Sequence, residues 1–423
     1  MIAPVKGTRD FYPADMAIRS WLYQTARMVT ERYGYQEWEG PILESLELYA
    51  AKSGEELVKE QAFVFVDRGG DQVTLRPELT PTLARLIAQK PETFRPVRWW
   101  SFGPFWRYEQ PQKGRTREFL QWNVDLIGCD TRLADAELVS IAVEFLRAIG
   151  LSSDQVQIRF NDRQLIDQAL SRLEIPAEQY KAVLHLIDRV DKLSIEQWLA
   201  QGRALGLSTT QLDGLYALMN ATNLWEQSPD LAAFLRYAES LGTRDWLCYD
   251  PKIVRGLDYY TGLVFEARDT HQQFRAILGG GRYANLVEAM GGEPMSAIGF
   301  AMGDKVVTLV AEKFGLLPPF GGSPAQVLVT VFSEDTLAAA ATLARDLRYA
   351  GIKVELYPEV AKLPKQLKYA DKQIIPIVAI IGPDELAKGS VVLKYLATRN
   401  QITTSRLAVA DSVHTLLERG VGS

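Results

Sequence analysis

Trp99-Trp100-Ser101-Phe102-Gly103-Pro104-Phe105-Trp106-Arg107-Tyr108-Glu109-Gln110, then Pro111-Gln112-Lys113-Gly114-Arg115-Thr116, then Arg117-Glu118-Phe119-Leu120-Gln121-Trp122-Asn123-Val124-Asp125, reads as β-rich runs about a turn. Aromatic and β-branched residues favour strands, and the Pro/Gly cluster 111–114 favours reversal. The expected strands are Trp99–Phe102, Phe105–Gln110 and Glu118–Ile127. Upstream, Ala62–Asp67 and Gln72–Arg76 flank Arg68-Gly69-Gly70-Asp71, a second hairpin signal. Hairpins in succession predict an antiparallel sheet.

Working outward, apolar residues at Ile18, Leu22, Met28 or Val29 and Tyr33 predict an amphipathic helix, with Asp15 capping its start and Gly34 ending it. Leu133–Ala148 has the same period, and residues from about Arg163 to Leu241 are helical in pattern throughout. Strands then return at Lys252–Arg255, Leu263–Ala267 and Ala297–Met302. The pattern is an α+β domain with a helical insertion. Leu316-Leu317-Pro318-Pro319-Phe320-Gly321-Gly322-Ser323-Pro324 is dense in turn formers and predicts a domain boundary, giving domains 1–320 and 325–423. In the second, Gln326–Val331, Ile352–Leu356, Ile374–Ile381 and Val391–Leu396 read as strands, with helices between the first three. That predicts βαβ units and a mostly parallel sheet.

The chain has 423 residues, long enough for two or three cores. No apolar run is long enough to span a membrane, and the first ten residues lack the features of a secretory signal. Two cysteines, Cys129 and Cys248, make neither a disulfide framework nor a structural zinc site. These features predict a cytoplasmic protein. Only His185, His271 and His414 occur, none near the hairpin, which argues against His-based catalysis or a His-rich metal site. Total charge is uninformative, at 47 basic against 52 acidic residues, but 95–117 holds Arg95, Arg98, Arg107, Lys113, Arg115 and Arg117 against Glu109 alone.

A planar, permanently charged guanidinium such as that of Arg107, on a rigid strand, suits gripping a phosphate. Glu109, Phe119, Gln121 and Asp125 surround it at fixed spacing. A buried Asp125 carboxylate would need an N–H donor partner. Far downstream come Arg255-Gly256-Leu257-Asp258-Tyr259-Tyr260 and Leu278-Gly279-Gly280-Gly281-Arg282-Tyr283. Together with the hairpin, these resemble the signatures of the histidyl-tRNA synthetase family of class II aminoacyl-tRNA synthetases. The resemblance runs from Gly7-Thr8-Arg9-Asp10 to about Leu417.

It implies the class II antiparallel sheet flanked by helices, ATP and Mg²⁺, and transfer of histidine to the 3′ end of tRNA(His). Arg107 and Arg255 would be catalytic on the α-phosphate, with Glu109 and Phe119 also binding ATP. Glu78 and Thr80, in Leu75-Arg76-Pro77-Glu78-Leu79-Thr80, would receive the substrate ammonium, although Pro77 and Glu78 also read as a helix start. Histidine would further meet Arg107, Arg255, Gln121, Asp125, Tyr259, Tyr260 and Tyr283. Gln112, Lys113 and Arg115 would meet the tRNA acceptor end. Lys365, Lys368 and Lys372, one basic helix face together with Lys362, would meet its phosphates, with salt-sensitive binding. Gly34-Tyr35 through Gly40-Pro41-Ile42-Leu43-Glu44 resembles the family's dimer-forming motif and implies a homodimer.

One segment departs from the pattern. Ala297-Ile298-Gly299-Phe300-Ala301-Met302-Gly303 resembles the family's third motif, but Lys305-Val306 stands where a Glu-Arg pair usually follows. Lys305 is one residue early, roughly 100° around a helix, and is not expected to replace the arginine that covers adenine. This departure raises the alternative of a catalytically silent synthetase-like regulatory subunit of ATP phosphoribosyltransferase.

Overall fold

The computed structural model describes residues 2–50, 61–90, 95–112, 114–254, 260–284, 287–318 and 322–420. The chain divides into two compact units, Met1–Pro318 and Pro319–Ser423. No helix among the described residues is long and apolar enough to cross a membrane.

The first unit opens with helix α1 (Pro13–Arg32). Asp15 lies in its first turn and accepts the Tyr12 N–H, so the carboxylate works from inside the helix and not as its cap residue. Gly34, at φ +76°, follows the last turn as expected. Next come β1 (Gln36–Glu37), β2 (Leu43–Ser45), α2 (Leu46–Ala50), β3 (Phe63–Val66), β4 (Gln72–Leu75) and α3 (Thr80–Gln89). Pro77 and Glu78 therefore precede α3, whose first-turn proline is Pro81. β2, β4 and β3 form a small antiparallel sheet.

The decisive hairpin is β5 (Val97–Trp106) and β6 (Glu118–Ile127), paired antiparallel from Val97↔Ile127 to Trp106↔Glu118. The two runs 99–102 and 105–110 are thus one strand that ends at Trp106, because Gly103 and Pro104 are accommodated inside it. Helix α4 (Arg132–Ala148) follows, capped by Thr131. Then come β7 (Val156–Asp162) and the helices α5 (Arg163–Arg172), α6 (Tyr180–Asp188), α7 (Ile195–Ala204), α8 (Thr209–Met219) and α9 (Pro229–Ser240). After them are β8 (Leu247–Tyr249), β9 (Tyr260–Asp269), β10 (Leu278–Tyr283), β11 (Ala297–Gly303) and α10 (Asp304–Lys313).

The main sheet has the order β1-β5-β6-β11-β10-β9-β7-β8. Its centre is antiparallel as predicted, but β1 with β5 and β7 with β8 pair in parallel, so the sheet is mixed. The helical insertion leaves from β7 and returns to β8 beside it, and Ile166, Leu170, Trp198 and Leu212 give it a core of its own. The strand expected at Lys252–Arg255 is instead β8, a few residues earlier. Asp250 accepts the Lys252 N–H and turns the chain, ending the ladder.

The second unit contains β12 (Val327–Val329), α11 (Glu334–Tyr349), β13 (Val354–Leu356), α12 (Leu363–Lys372), β14 (Ile377–Ile380), α13 (Pro383–Lys388), β15 (Ser390–Tyr395), β16 (Gln401–Ser405) and α14 (Val409–Gly420). β13, β12 and β14 are parallel, but β15 and β16 add antiparallel. The mostly parallel expectation is corrected to a mixed sheet: the short α13 leads from β14 into β15, which returns antiparallel.

Candidate functional site

Strand alternation gives the main sheet two different faces. On β6, Trp122, Val124 and Leu126 join Trp100, Ile298, Phe300 and Met302 in the core beneath α1, α4, α9 and α10. Phe119, Gln121, Asn123 and Asp125 therefore look the other way, spread over about 20 Å of strand. Opposite them in register on β11 stand Gly303↔Gln121, Ala301↔Asn123 and Gly299↔Asp125. On this face the neighbouring strand carries almost no side chains, which leaves a shallow floor. A Cβ on Gly303 would meet open space, whereas one on Gly299 would collide with Oδ1 of Asp125.

At the inner end of the floor Asp125 is buried, and burial pushes its carboxyl up to about 7 although the Tyr283 hydrogen bond acts in the opposite sense. Tyr283 donates to Oδ1 of Asp125 at 2.8 Å, and Tyr260 lies opposite Tyr283 in register. Gly281 lets the strands close here, since a Cβ would strike the Leu263 carbonyl and the Tyr260 ring. Arg282 points to the opposite face and binds Asp135 and the Cys129 carbonyl, anchoring β10 to the start of α4.

At the outer end, Arg107 donates from Nε to the Pro77 carbonyl at 3.0 Å, and its guanidinium carbon lies 5.5 Å from the Phe119 ring centre. This draws Arg107 to the segment carrying Glu78 and Thr80, the residue that opens α3. Phe119 stacks against Phe105. Glu109 pairs with Arg115 through Oε2, while its Oε1 is buried without a hydrogen-bond partner among the described residues. Gln112 and Arg115 exchange backbone hydrogen bonds at the loop, leaving Gln112 exposed. Arg255, Tyr259 and Lys113 lie outside the described residues.

Two features escaped the sequence, around Arg76 and around Asn123, and the structure also places the departure at Lys305-Val306. Arg76 is fully buried and binds Glu39, the Gly40 carbonyl and the Pro104 carbonyl while lying 4.5 Å from the Phe105 ring centre. It ties β5 to the segment before β2, and a Cβ on Gly103 would occupy its place. Ser101 and Asn123 face one another on the site side, with Ser101 Oγ and Asn123 Nδ2 buried and without hydrogen-bond partners among the described residues. The alternation of β6 was the available signal for Asn123. Val306 is buried and faces Gly114 of the loop, while half-buried Lys305 lies beside Arg9 and Asp304; burial, then Arg9, pushes its amine down.

In the second unit, Gln366 is buried and bonds to both backbone groups of Val331 and to the Ala361 carbonyl. This fixes α12 with Lys365, Lys368 and Lys372 exposed; Lys365 pairs with Glu359.

A floor with an aromatic and arginine end and a buried carboxylate end can take an elongated ligand carrying an anion near Arg107 and an N–H donor near Asp125. The family profile described as histidyl-tRNA synthetase matches residues 7–307, and that described as an anticodon binding domain matches residues 326–419. A histidine–tRNA ligase of Leptospira biflexa is 38% identical over 413 residues, covering 95% of this chain and 94% of its own length. A chloroplastic/mitochondrial histidine–tRNA ligase of Arabidopsis thaliana is 36% identical, covering 95% of this chain and 84% of its own. The crystal structure of histidyl-tRNA synthetase from Nostoc sp. PCC 7120 superposes with a TM-score of 0.84 at 25% identity, over 98% of this chain and 99% of that one. With its two signature-bearing strands meeting on one sheet face, the chain belongs to the histidyl-tRNA synthetase family.

Proposed function

We propose a division of labour along the floor for the family's reaction, that of an ATP-dependent histidine–tRNA ligase. The observation that carries it is the placement of Asp125–Tyr283 and Arg107–Phe119 on one face, joined by Gly299, Ala301 and Gly303. The imidazole N–H of histidine donates to Asp125, with Tyr283 and Tyr260 beside the ring and Gln121 along the amino acid. Glu78 and Thr80 take the ammonium. Phe119 stacks on adenine, and the free Oε1 of Glu109 accepts from its exocyclic amine. Tyr259 also belongs to the histidine pocket.

In the first step a carboxylate oxygen of histidine attacks the α-phosphorus, the bond from that phosphorus to the oxygen bridging to the β-phosphate breaks, and pyrophosphate leaves. Arg107 and Arg255 stabilise the charge gathered on the α-phosphate. In the second, a hydroxyl of the terminal tRNA ribose attacks the acyl carbon and AMP leaves. No side chain serves as a covalent nucleophile; orientation carries the rate. Magnesium enters with ATP as the Mg·ATP substrate, whose phosphates suit this ion as ligands.

The exposed lysine face of α12 binds tRNA phosphates, with Lys113, Gln112 and Arg115 at the acceptor end. A second copy covers Leu43 and Phe65, which share one face of the small sheet and are at least 45% exposed. Cys129 and Cys248, both free, suit a reducing cytoplasm. A silent regulatory role has Val306 in its favour; against it stand Arg107, Arg255, the tyrosine motif and the C-terminal anticodon-binding domain, which such a subunit typically lacks.

The test is ATP–pyrophosphate exchange with each amino acid in turn. Exchange with histidine alone is expected; a folded protein that exchanges with none overturns the reading.

A further inference from the structure

β11 pairs with β6 only as far as Gly303↔Gln121. Beyond it β6 continues through Leu120, Phe119 and Glu118, so its edge away from β5 would be bare, with N–H groups unpaired. Two groups cover it. Asp304, the first residue of α10, accepts the Leu120 N–H at 3.0 Å, and the Gly7 carbonyl accepts the N–H groups of Arg117 and Glu118 at 2.9 and 3.1 Å. Arg9 then joins the two covers, donating from Nη2 to Oδ2 of Asp304 at 2.7 Å. Both side chains are largely shielded, at 17% and 7% exposure. Gly7, at φ +87°, lies against the Arg117 side chain, where a Cβ would not fit.

We infer that residues Gly7–Arg9 form a strap, latched by the Arg9–Asp304 ion pair, that positions the nucleotide end of the site. The inference rests on the proposed placement of adenine at Phe119 and Glu109. Arg9 and Asp304 are positioning residues, acting through β6 and the loop base, where the Arg117 guanidinium donates to the Glu109 carbonyl. The strap matters in this chain because α10 presents buried Val306 to the loop where the family carries an arginine; rigidity of β6 replaces that lost contact. Asp125 and Tyr283, at the other end of the floor, are outside its reach.

The test measures binding of Mg·ATP and of histidine separately, by calorimetry, to the full chain and to Arg9→Gln, Asp304→Asn and the double variant. Each should weaken Mg·ATP roughly tenfold and leave histidine within about twofold, with the double variant no worse than either single. Arg9→Lys, which keeps the charge, should recover most of the affinity and reports even if Arg9→Gln does not fold. Unchanged Mg·ATP affinity in folded variants overturns the strap, as does an equal loss for both ligands, which would make the pair a general support. Absence of histidine-dependent exchange in the natural chain, with these shifts present, would instead overturn the ligase reading alone.

Discussion

Tyr283 holds Oδ1 of Asp125 at 2.8 Å across two strands whose residues are 158 positions apart in the chain. This hydrogen bond favours the ionised carboxylate, against burial, which favours the neutral acid.

Asp125→Asn should raise the KM for histidine on the order of 100-fold in exchange assays, because a charged acceptor is replaced by a neutral one. In the natural chain the acceptor becomes charged as pH rises through about 7, so histidine affinity should climb there. The variant should keep only the dependence due to the imidazole of the ligand.

The same group sets a stability window. Its carboxyl is raised from 3.8 to about 7 on folding, so its contribution is fully present below the unfolded value and is lost as pH rises through the folded one. Urea unfolding should show Asp125→Asn gaining stability relative to the natural chain between about pH 4 and pH 7. A constant difference across that range would contradict the burial of the charge.

Tyr283→Phe removes a donor to the carboxylate and should move the rise in histidine affinity to higher pH. The KM for histidine at pH 7 should increase about tenfold, consistent with losing one hydrogen bond to a charged group. An unshifted pH profile would mean that Tyr283 acts only by packing.

Gly299→Ala would drive a methyl into Oδ1 of Asp125. Histidine-dependent exchange should fall far more than the melting temperature. Equal activity would show that the carboxylate has room to rotate away.

Arg76→Ala should lower unfolding free energy by roughly 3 kcal/mol, since a fully buried guanidinium and its backbone partners lose each other. Denaturant titration measures this directly. Arg76→Lys should recover only part of it, lacking the fork that spans Glu39, Gly40 and Pro104.

Local patterns were readable where their cause is local. The hairpin of Trp99–Asp125 announces itself through aromatic and β-branched residues and a Pro/Gly turn, and α4 through its period, while the Thr131 cap showed only in the structure. The family signatures marked Arg107, Phe119, Gln121, Asp125 and Tyr283 as site residues, and the fold brings them to one face. What stayed hidden depends on partners distant in sequence. Arg76 reads as the last residue of the strand run Gln72–Arg76, and nothing local tells that Glu39 and Pro104 enclose it. The open floor arises only when β10 and β11 are laid beside β6 in register. β15 and β16 reverse the C-terminal sheet because only the short α13 separates β14 from β15, too little for a parallel return of the usual kind.

The order of the main sheet has a consequence for biosynthesis. β6 lies between β5, its neighbour in sequence, and β11, which emerges from the ribosome more than half the domain later. The bond from Arg9 to Asp304 joins residues 295 positions apart, among the first and last made in this unit. While a nascent chain ends in the helical insertion, both strands of the β5–β6 hairpin have been made but β11 has not, so the edge of β6 that it covers is a surface open to mispairing. Closure must await β11, so this unit should fold late and slowly, from contacts of high sequence separation.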